Sequence, residues 1–146
     1  MFIPPPFLLL LAITLSYVVS ILFPMLQYNG LNMSLLGLIF ITSGVTLFVW
    51  GAKTLHHHKT TLHPRKKPSK LIMHGPYLYT RNPIYLGFFL VTIGTSLLFA
   101  NVLAFVGPLL FFAFISTFII PFEEEMLSKK FGKPYHSYRK KTRRWV

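Results

Sequence analysis

Two long apolar stretches, each followed by a basic one, set the frame of this chain. No lysine, arginine, aspartate or glutamate precedes Lys53, and none lies between Arg81 and Glu123. Each uncharged block is long enough for two bilayer crossings of about 20 residues. The first apolar segment runs from about Phe7 to Leu26. Pro4, Pro5 and Pro6 before it suit a helix start, where missing N–H groups cost little. Met1 to Pro6 has no basic side chain and no convincing small-residue cleavage site follows, so the segment reads as retained rather than as a signal peptide. Gln27-Tyr28-Asn29-Gly30 is a turn, and a second segment runs from about Leu31 to Ala52. Gly37 and Gly44 share one face of it and permit close helix packing.

The third segment, Ile84 to Ala100, is near the short limit for a crossing. Asn82 suits an N-cap and Pro83 a first helical position. Asn101 separates it from a fourth segment, Val102 to Phe122, so short a break implying a tight helical hairpin. Gly107-Pro108 predicts a kink in the fourth helix. The tail reads as two short helices, the first closed by Phe131-Gly132 and the second opened by Pro134, with Tyr135 and Tyr138 on one face.

The pattern predicts an all-α polytopic membrane protein of four transmembrane helices. The chain is read as one membrane domain: two N-terminal helices over 1–52, a cytoplasmic loop over 53–83, a hairpin over 84–122 and a cytoplasmic tail over 123–146. Four crossings put both basic blocks on one side. The positive-inside rule makes that side the cytoplasm and places both termini there.

Composition agrees. The chain has 146 residues, is 53% hydrophobic and only 12% charged, against roughly 25% charged in soluble domains; its mean hydropathy is +0.54. The net charge of +12 does not point to nucleic acid, because the basic residues sit in blocks flanking apolar segments. Such blocks contact anionic lipid head groups. There is no cysteine, so disulfides, thiolate metal sites and cysteine nucleophiles are excluded.

Two places carry candidate chemistry. His74 to Gly87 packs turn residues, tyrosines, Arg81 and a helix start into fourteen positions. The N-terminus at Asn82-Pro83 and the Arg81 guanidinium suit a carboxylate or phosphate, with Arg81 offering a bidentate contact. Tyr77, Tyr79 and Tyr85 offer ring faces to a planar group or a cation. The second place is Glu123-Glu124-Glu125, the only acids in the chain. Successive helical residues point about 100° apart, so all three cannot face one pocket. A carboxylate at a membrane boundary is costly unless paired or functional. His56, His57 and His58 make a poor metal site, because adjacent helical residues diverge and no carboxylate is near in sequence. Without aspartate or cysteine, the chain suits a group transfer that needs two reactants held in line, such as methyl transfer from a sulfonium donor.

His74-Gly75-Pro76-Tyr77, Arg81-Asn82-Pro83-Ile84-Tyr85-Leu86-Gly87 and Glu123-Glu124-Glu125-Met126-Leu127, followed by Phe131-Gly132, Tyr135 and Tyr138, resemble the isoprenylcysteine carboxyl methyltransferase family. These are integral-membrane, S-adenosylmethionine-dependent enzymes related to phospholipid methyltransferases. The resemblance covers roughly residues 71 to 145. It implies S-adenosylmethionine as cofactor, bound by His74, Gly75, Tyr77, Arg81, Pro83, Tyr85, Glu123, Glu124 and Tyr135. It also implies catalytic roles for Glu124 and Arg144, with Arg143 the neighbouring match to the same basic position. Counting back from Leu127 leaves Glu125 in a variable position. Asn82 stands where histidine is common, and the chain lacks a trailing proline. The first two helices carry no family motif, so the acceptor, lipophilic or small, stays open: a prenyl-cysteine-like carboxylate, an amino-lipid or a thiol. A noncatalytic scaffold for anionic lipid and a reductase-related membrane protein are the alternatives.

Overall fold

The computed structural model describes residues 4–28, 30–58 and 69–146. The middle of the basic loop, residues 59–68, lies outside them, as do Asn29 and the first three residues. The described residues are all-helical: α1 (Pro5–Leu22), α2 (Leu31–His57), α3 (Pro83–Leu98), α4 (Val106–Phe114), α5 (Ile120–Phe131) and α6 (Lys133–Lys141). Short 3-10 turns cover Pro24–Leu26, Gly75–Leu78 and Val102–Phe105, and a π-helical turn over Ile115–Ile119 joins α4 to α5. Among the described residues, β pairing is limited to an isolated antiparallel bridge between Gln27 and Asn101.

Local chemistry explains most of the boundaries. Pro4 caps α1 in an extended conformation with prolines in the first turn, and Pro24 follows its last turn. The helix α2 runs past the expected end at Ala52 to His57. Charge ends the apolar run there, but Lys53, Thr54 and Leu55 contain no helix breaker. The turn after α3 is closed by Ala100, which has φ +50°, and by Asn101. The buried Asn101 side chain accepts a hydrogen bond from Leu103 N (2.8 Å) and donates to the Phe23 carbonyl (2.8 Å), fixing the turn to the end of α1.

The kink expected at Gly107-Pro108 is not mid-helix. Those residues lie in the first turn of α4, after a 3-10 turn, where proline costs little. The irregularity comes instead at the π turn. Pro121, near the start of α5, cannot donate to an i−4 carbonyl, and widening the preceding turn relieves its ring.

Among the described residues, three helical runs are long and apolar enough to cross a membrane: Pro5–Leu22, Leu31–His57 and the continuous run Val102–Phe131. The fourth, α3, is apolar but shorter. Leu10, Leu22, Leu31, Ile39 and Leu109 are exposed, an outer surface suited to lipid and not to water. The chain is an integral membrane protein.

The chain divides into two compact units, Met1–Thr46 with Gly87–Phe114, and Leu47–Leu86 with Ile115–Val146. In the first, α1 buries Leu8, Ala12, Ser16 and Ser20, a stripe of mostly small residues at spacing four. Gly107 meets that stripe so closely that a Cβ there would lie 2.3 Å from the Ala12 carbonyl oxygen. Gly37 and Gly44 of α2 likewise face Gly94 and Gly87 of α3, and a Cβ on Gly44 would lie 2.6 Å from the Gly87 carbonyl. Small residues let backbones meet where lipid supplies no hydrophobic drive for helix association. The second unit carries the chemistry.

Candidate functional site

The site begins at the turn after the basic loop. His74 is extended, and Gly75 adopts φ +62°, a left-handed conformation that suits glycine. This starts the Gly75–Leu78 turn, which buries Pro76 and Tyr77 and leaves Tyr79 exposed. Tyr79 therefore offers its ring to the surroundings and not to a pocket.

From Tyr77 to Asn82 the chain is sewn to the C-terminal tail. The Tyr138 hydroxyl donates to the Tyr77 carbonyl at 2.6 Å, and the Thr80 hydroxyl donates to the Arg144 carbonyl at 3.1 Å. The Arg81 amide donates to the Arg143 carbonyl at 3.0 Å, and the Asn82 side-chain amide to the Arg144 carbonyl at 2.8 Å. Asn82 does precede Pro83 at the start of α3, but its side-chain amide reaches the tail. Pro83 is buried, and Gly51 of α2 packs close to Pro83 and Ile84.

Arg81 sits at the centre. Its Nη1 donates to the carbonyls of Arg139 (3.0 Å) and Thr142 (2.7 Å), where α6 ends and its carbonyls lack helical partners. Its Nη2 donates to Glu124 Oε1 at 2.6 Å. Arg144 clamps the same carboxylate from another side, Nη2 to Oε2 at 2.7 Å and Nε to Oε1 at 3.3 Å. That is the two-pronged geometry in which guanidinium and carboxylate bind most strongly. The side chains of Arg81 and Glu124 are each only 9% exposed, so this pairing is shielded from solvent. The two Nη groups of Arg81, expected from the sequence to reach a ligand, are engaged within the chain. One donor remains: the buried Arg81 Nε meets no hydrogen-bond partner among the described residues.

The glutamates separate as helical geometry requires. Glu124 is buried between the two arginines. Glu123 is half-buried and accepts a 2.6 Å hydrogen bond from the Tyr85 hydroxyl of α3. Glu125 is exposed and pairs with Lys129 one turn on.

Gly132, with φ +54°, turns the chain from α5 into α6. The helix α6 then buries Tyr135 and Tyr138, whose ring centroids are 6.3 Å apart. Burial, helped by the nearby Glu124 charge, pushes the Tyr135 phenol up to about 12. Burial also raises Tyr138 and Tyr77 above the ordinary phenol value. These phenols are neutral donors at physiological pH.

Of the residues expected from the sequence, Arg81, Glu124 and Arg144 are joined directly, and Tyr85 with Glu123 forms a second pair between α3 and α5. Tyr77 and Tyr135 are buried on the connected turn and tail. Arg143 is exposed and contributes its carbonyl. His74 faces elsewhere, with its Nε2 3.0 Å from that of His58. Thr80 and Thr142 were not foreseen, nor was the bond from the Asn82 side chain to the tail. Their role is to hold backbone against backbone, and no local pattern in the sequence marks it.

A family model described as phospholipid methyltransferase matches residues 32–134. The chain is 33% identical over 130 residues to the protein-S-isoprenylcysteine O-methyltransferase of Schizosaccharomyces pombe, which covers 87% of this chain and 52% of that protein. It is 33% identical over 127 residues to a probable protein-S-isoprenylcysteine O-methyltransferase of Oryza sativa, covering 84% of this chain and 65% of that protein. An uncharacterized protein of Haemophilus influenzae is 38% identical over 63 residues, 43% of this chain and the whole of that protein. The chain thus spans about half to two thirds of the length of the two named relatives.

Proposed function

The chain belongs to the phospholipid methyltransferase family, and from that premise we propose that it transfers a methyl group from S-adenosylmethionine to a lipophilic or small acceptor at the membrane. The observation that carries this reading is the pairing of Arg81, Glu124 and Arg144 within one unit that also holds Glu123 and Tyr85.

The residues suit such a donor. Arg81 Nε is a buried N–H in search of an acceptor, which a donor carboxylate or ribose oxygen supplies. Glu123 holds one neutral hydrogen bond and keeps acceptor capacity for an ammonium group. Tyr77, Tyr85 and Tyr135 are buried aromatics able to contact an adenine ring or a positive sulfur. When bound, the sulfonium supplies an electrophilic methyl group and leaves as a neutral thioether.

The chain's own part is placement. Arg81 and Arg144, fixed by Glu124, hold the tail against the turn that carries Tyr77, so the site is built before a ligand arrives. A preorganised set of charges of this kind lowers a barrier without reorganising. A carboxylate acceptor needs no proton removed. For an amine or thiol acceptor, Glu124 is the sequence's candidate base, but two guanidiniums hold its lone pairs. Glu123, bonded among the described residues by a neutral phenol, is the better proton acceptor.

The architecture we propose is a single membrane domain of four crossings, with α3 and the α4–α5 run as the hairpin. At 16 residues, α3 spans about 24 Å, close to the hydrocarbon thickness of about 30 Å. Both basic blocks and both termini then lie on the cytoplasmic side, with the donor approaching from water and a lipophilic acceptor from between helices. A prenyl-cysteine-like carboxylate is the acceptor favoured by the likeness to the named relatives.

The test is methyl transfer from radiolabelled S-adenosylmethionine by the purified protein, offered prenyl-cysteine, amino-lipid and small-thiol acceptors in turn. The reading expects label in at least one acceptor class, with turnover lost in Glu123→Gln. No transfer to any of the three, by protein that remains folded, would contradict it.

A further inference from the structure

His56 and His57 end α2, His58 follows, and among the described residues they form no metal-binding group of three. The structure brings one of them, His58, to a residue sixteen positions away. His58 Nε2 lies 3.0 Å from His74 Nε2. We propose that His58 and His74 form a binding site for a divalent transition metal ion of the zinc class, completed by water.

The first argument is the tautomer. His58 Nδ1 lies 2.8 Å from the Thr54 carbonyl oxygen. A carbonyl only accepts, so Nδ1 carries the hydrogen. In the neutral ring, Nε2 is then a bare lone pair aimed at His74. A ring N–H anchored on a backbone carbonyl is the arrangement that fixes metal-binding imidazoles elsewhere. His74 needs only to carry its own hydrogen on Nδ1 for a second lone pair to face the first.

The second argument is the geometry. Zinc–nitrogen bonds of about 2.0–2.1 Å at a tetrahedral angle hold two nitrogens about 3.3 Å apart. The observed separation needs only a few tenths of an ångström of ring movement. The ring centroids are 4.3 Å apart with planes at 61°. A linear N–H···N bond of this length would hold them about 5 Å apart. Two rings converging on one ion come to about 5.2 Å at the tetrahedral angle and about 4.5 Å at a right angle, so the pair as it stands is nearer the right-angle arrangement. The rings are therefore tilted off the line joining their Nε2 atoms, as rings that share an ion are. Imidazole ligands favour zinc, copper and nickel over magnesium or calcium.

Among the described residues no group of three or more potential ligands comes together, so the pair supplies two bonds and water the rest. His74 is the residue before Gly75, where the turn bearing Tyr77 begins. A bound ion would tie that turn to the cytoplasmic end of α2. This inference rests on the two side chains alone and stands apart from methyl transfer.

The test is equilibrium dialysis of untagged, detergent-solubilised protein against zinc chloride at pH 7.5, with magnesium chloride as the comparison. The expected result is one saturable zinc per chain at micromolar concentration and no magnesium uptake. His58→Ala and His74→Ala should each weaken zinc binding at least tenfold while leaving the metal-free unfolding temperature unchanged. His136→Ala, at an exposed histidine of α6, should leave binding as it was. Absence of saturable binding, or binding that survives both His58→Ala and His74→Ala, would overturn the proposal.

Discussion

Arg81→Ala is expected to release the C-terminal tail and to abolish binding of S-adenosylmethionine together. The guanidinium holds three partners at once: Glu124 Oε1 and the carbonyls of Arg139 and Thr142. Removing it takes this donor from the Arg139 and Thr142 carbonyls at the end of α6, and it leaves Arg144 as the remaining described cation on a shielded carboxylate. Truncating one member of a buried pair costs about 3–5 kcal/mol. That is a large share of the stability that holds a short tail in place. Amide hydrogen exchange should rise across residues 133–146, while the apolar helices keep their protection. Calorimetric titration should show at least a hundredfold loss of S-adenosylmethionine affinity. Arg81→Lys should fall between, since an ammonium keeps the charge but not the planar fork. Unchanged exchange in the tail of Arg81→Ala would mean that the tail is held by Tyr138, Thr80 and Asn82, and not by the ion pairs.

Glu123→Gln should separate binding from folding. Among the described residues its carboxylate accepts from Tyr85, and a glutamine carbonyl can accept the same bond. Thermal unfolding should therefore stay close to that of the parent chain. If Glu123 receives the donor's ammonium, losing its charge removes a charge-assisted hydrogen bond worth about 1.5–3 kcal/mol. Affinity for S-adenosylmethionine should fall roughly ten- to a hundredfold. Tyr85→Phe should cost less, since it removes a neutral donor and keeps the ring. Glu124→Gln should do the opposite of Glu123→Gln, lowering the unfolding temperature, because it uncouples two arginines. Equal loss of stability in both glutamine variants would remove the division of labour between the two acids.

The helices were legible because hydropathy and turn residues act locally. Pro4, Gly30, Asn82-Pro83, Asn101 and Gly132 all lie at boundaries where the sequence places them. The end of α2 was not, because loss of apolar character at Lys53 marks a membrane boundary and not a helix end. The break in the α4–α5 run was misplaced for a similar reason. Pro108 attracted attention, but its position depends on where α4 begins, and Pro121 carried the distortion. Gly37 and Gly44 announced a close packing face, and Gly87 and Gly94, spaced alike, are its counterpart on α3.

The site was legible in membership more than in wiring. That three adjacent glutamates cannot share a pocket follows from helical rotation. Which of them meets the arginines depends on the rotation of α5 about its axis. Arg81 read as a ligand-binding group because isolated sequence shows a free guanidinium. Its carbonyl partners belong to the end of α6, and only folding brings that end to it. His58 and His74 are sixteen residues apart on a loop and a helix end, and no periodicity links them.

Calorimetric titration of the purified protein with S-adenosylmethionine, beside NADPH, most directly tests the claim that the arginine–glutamate cluster and the Glu123–Tyr85 pair build a sulfonium-nucleotide site. The account predicts saturable binding of S-adenosylmethionine at one site per chain and none of NADPH. Binding of NADPH alone, or of neither, would contradict it.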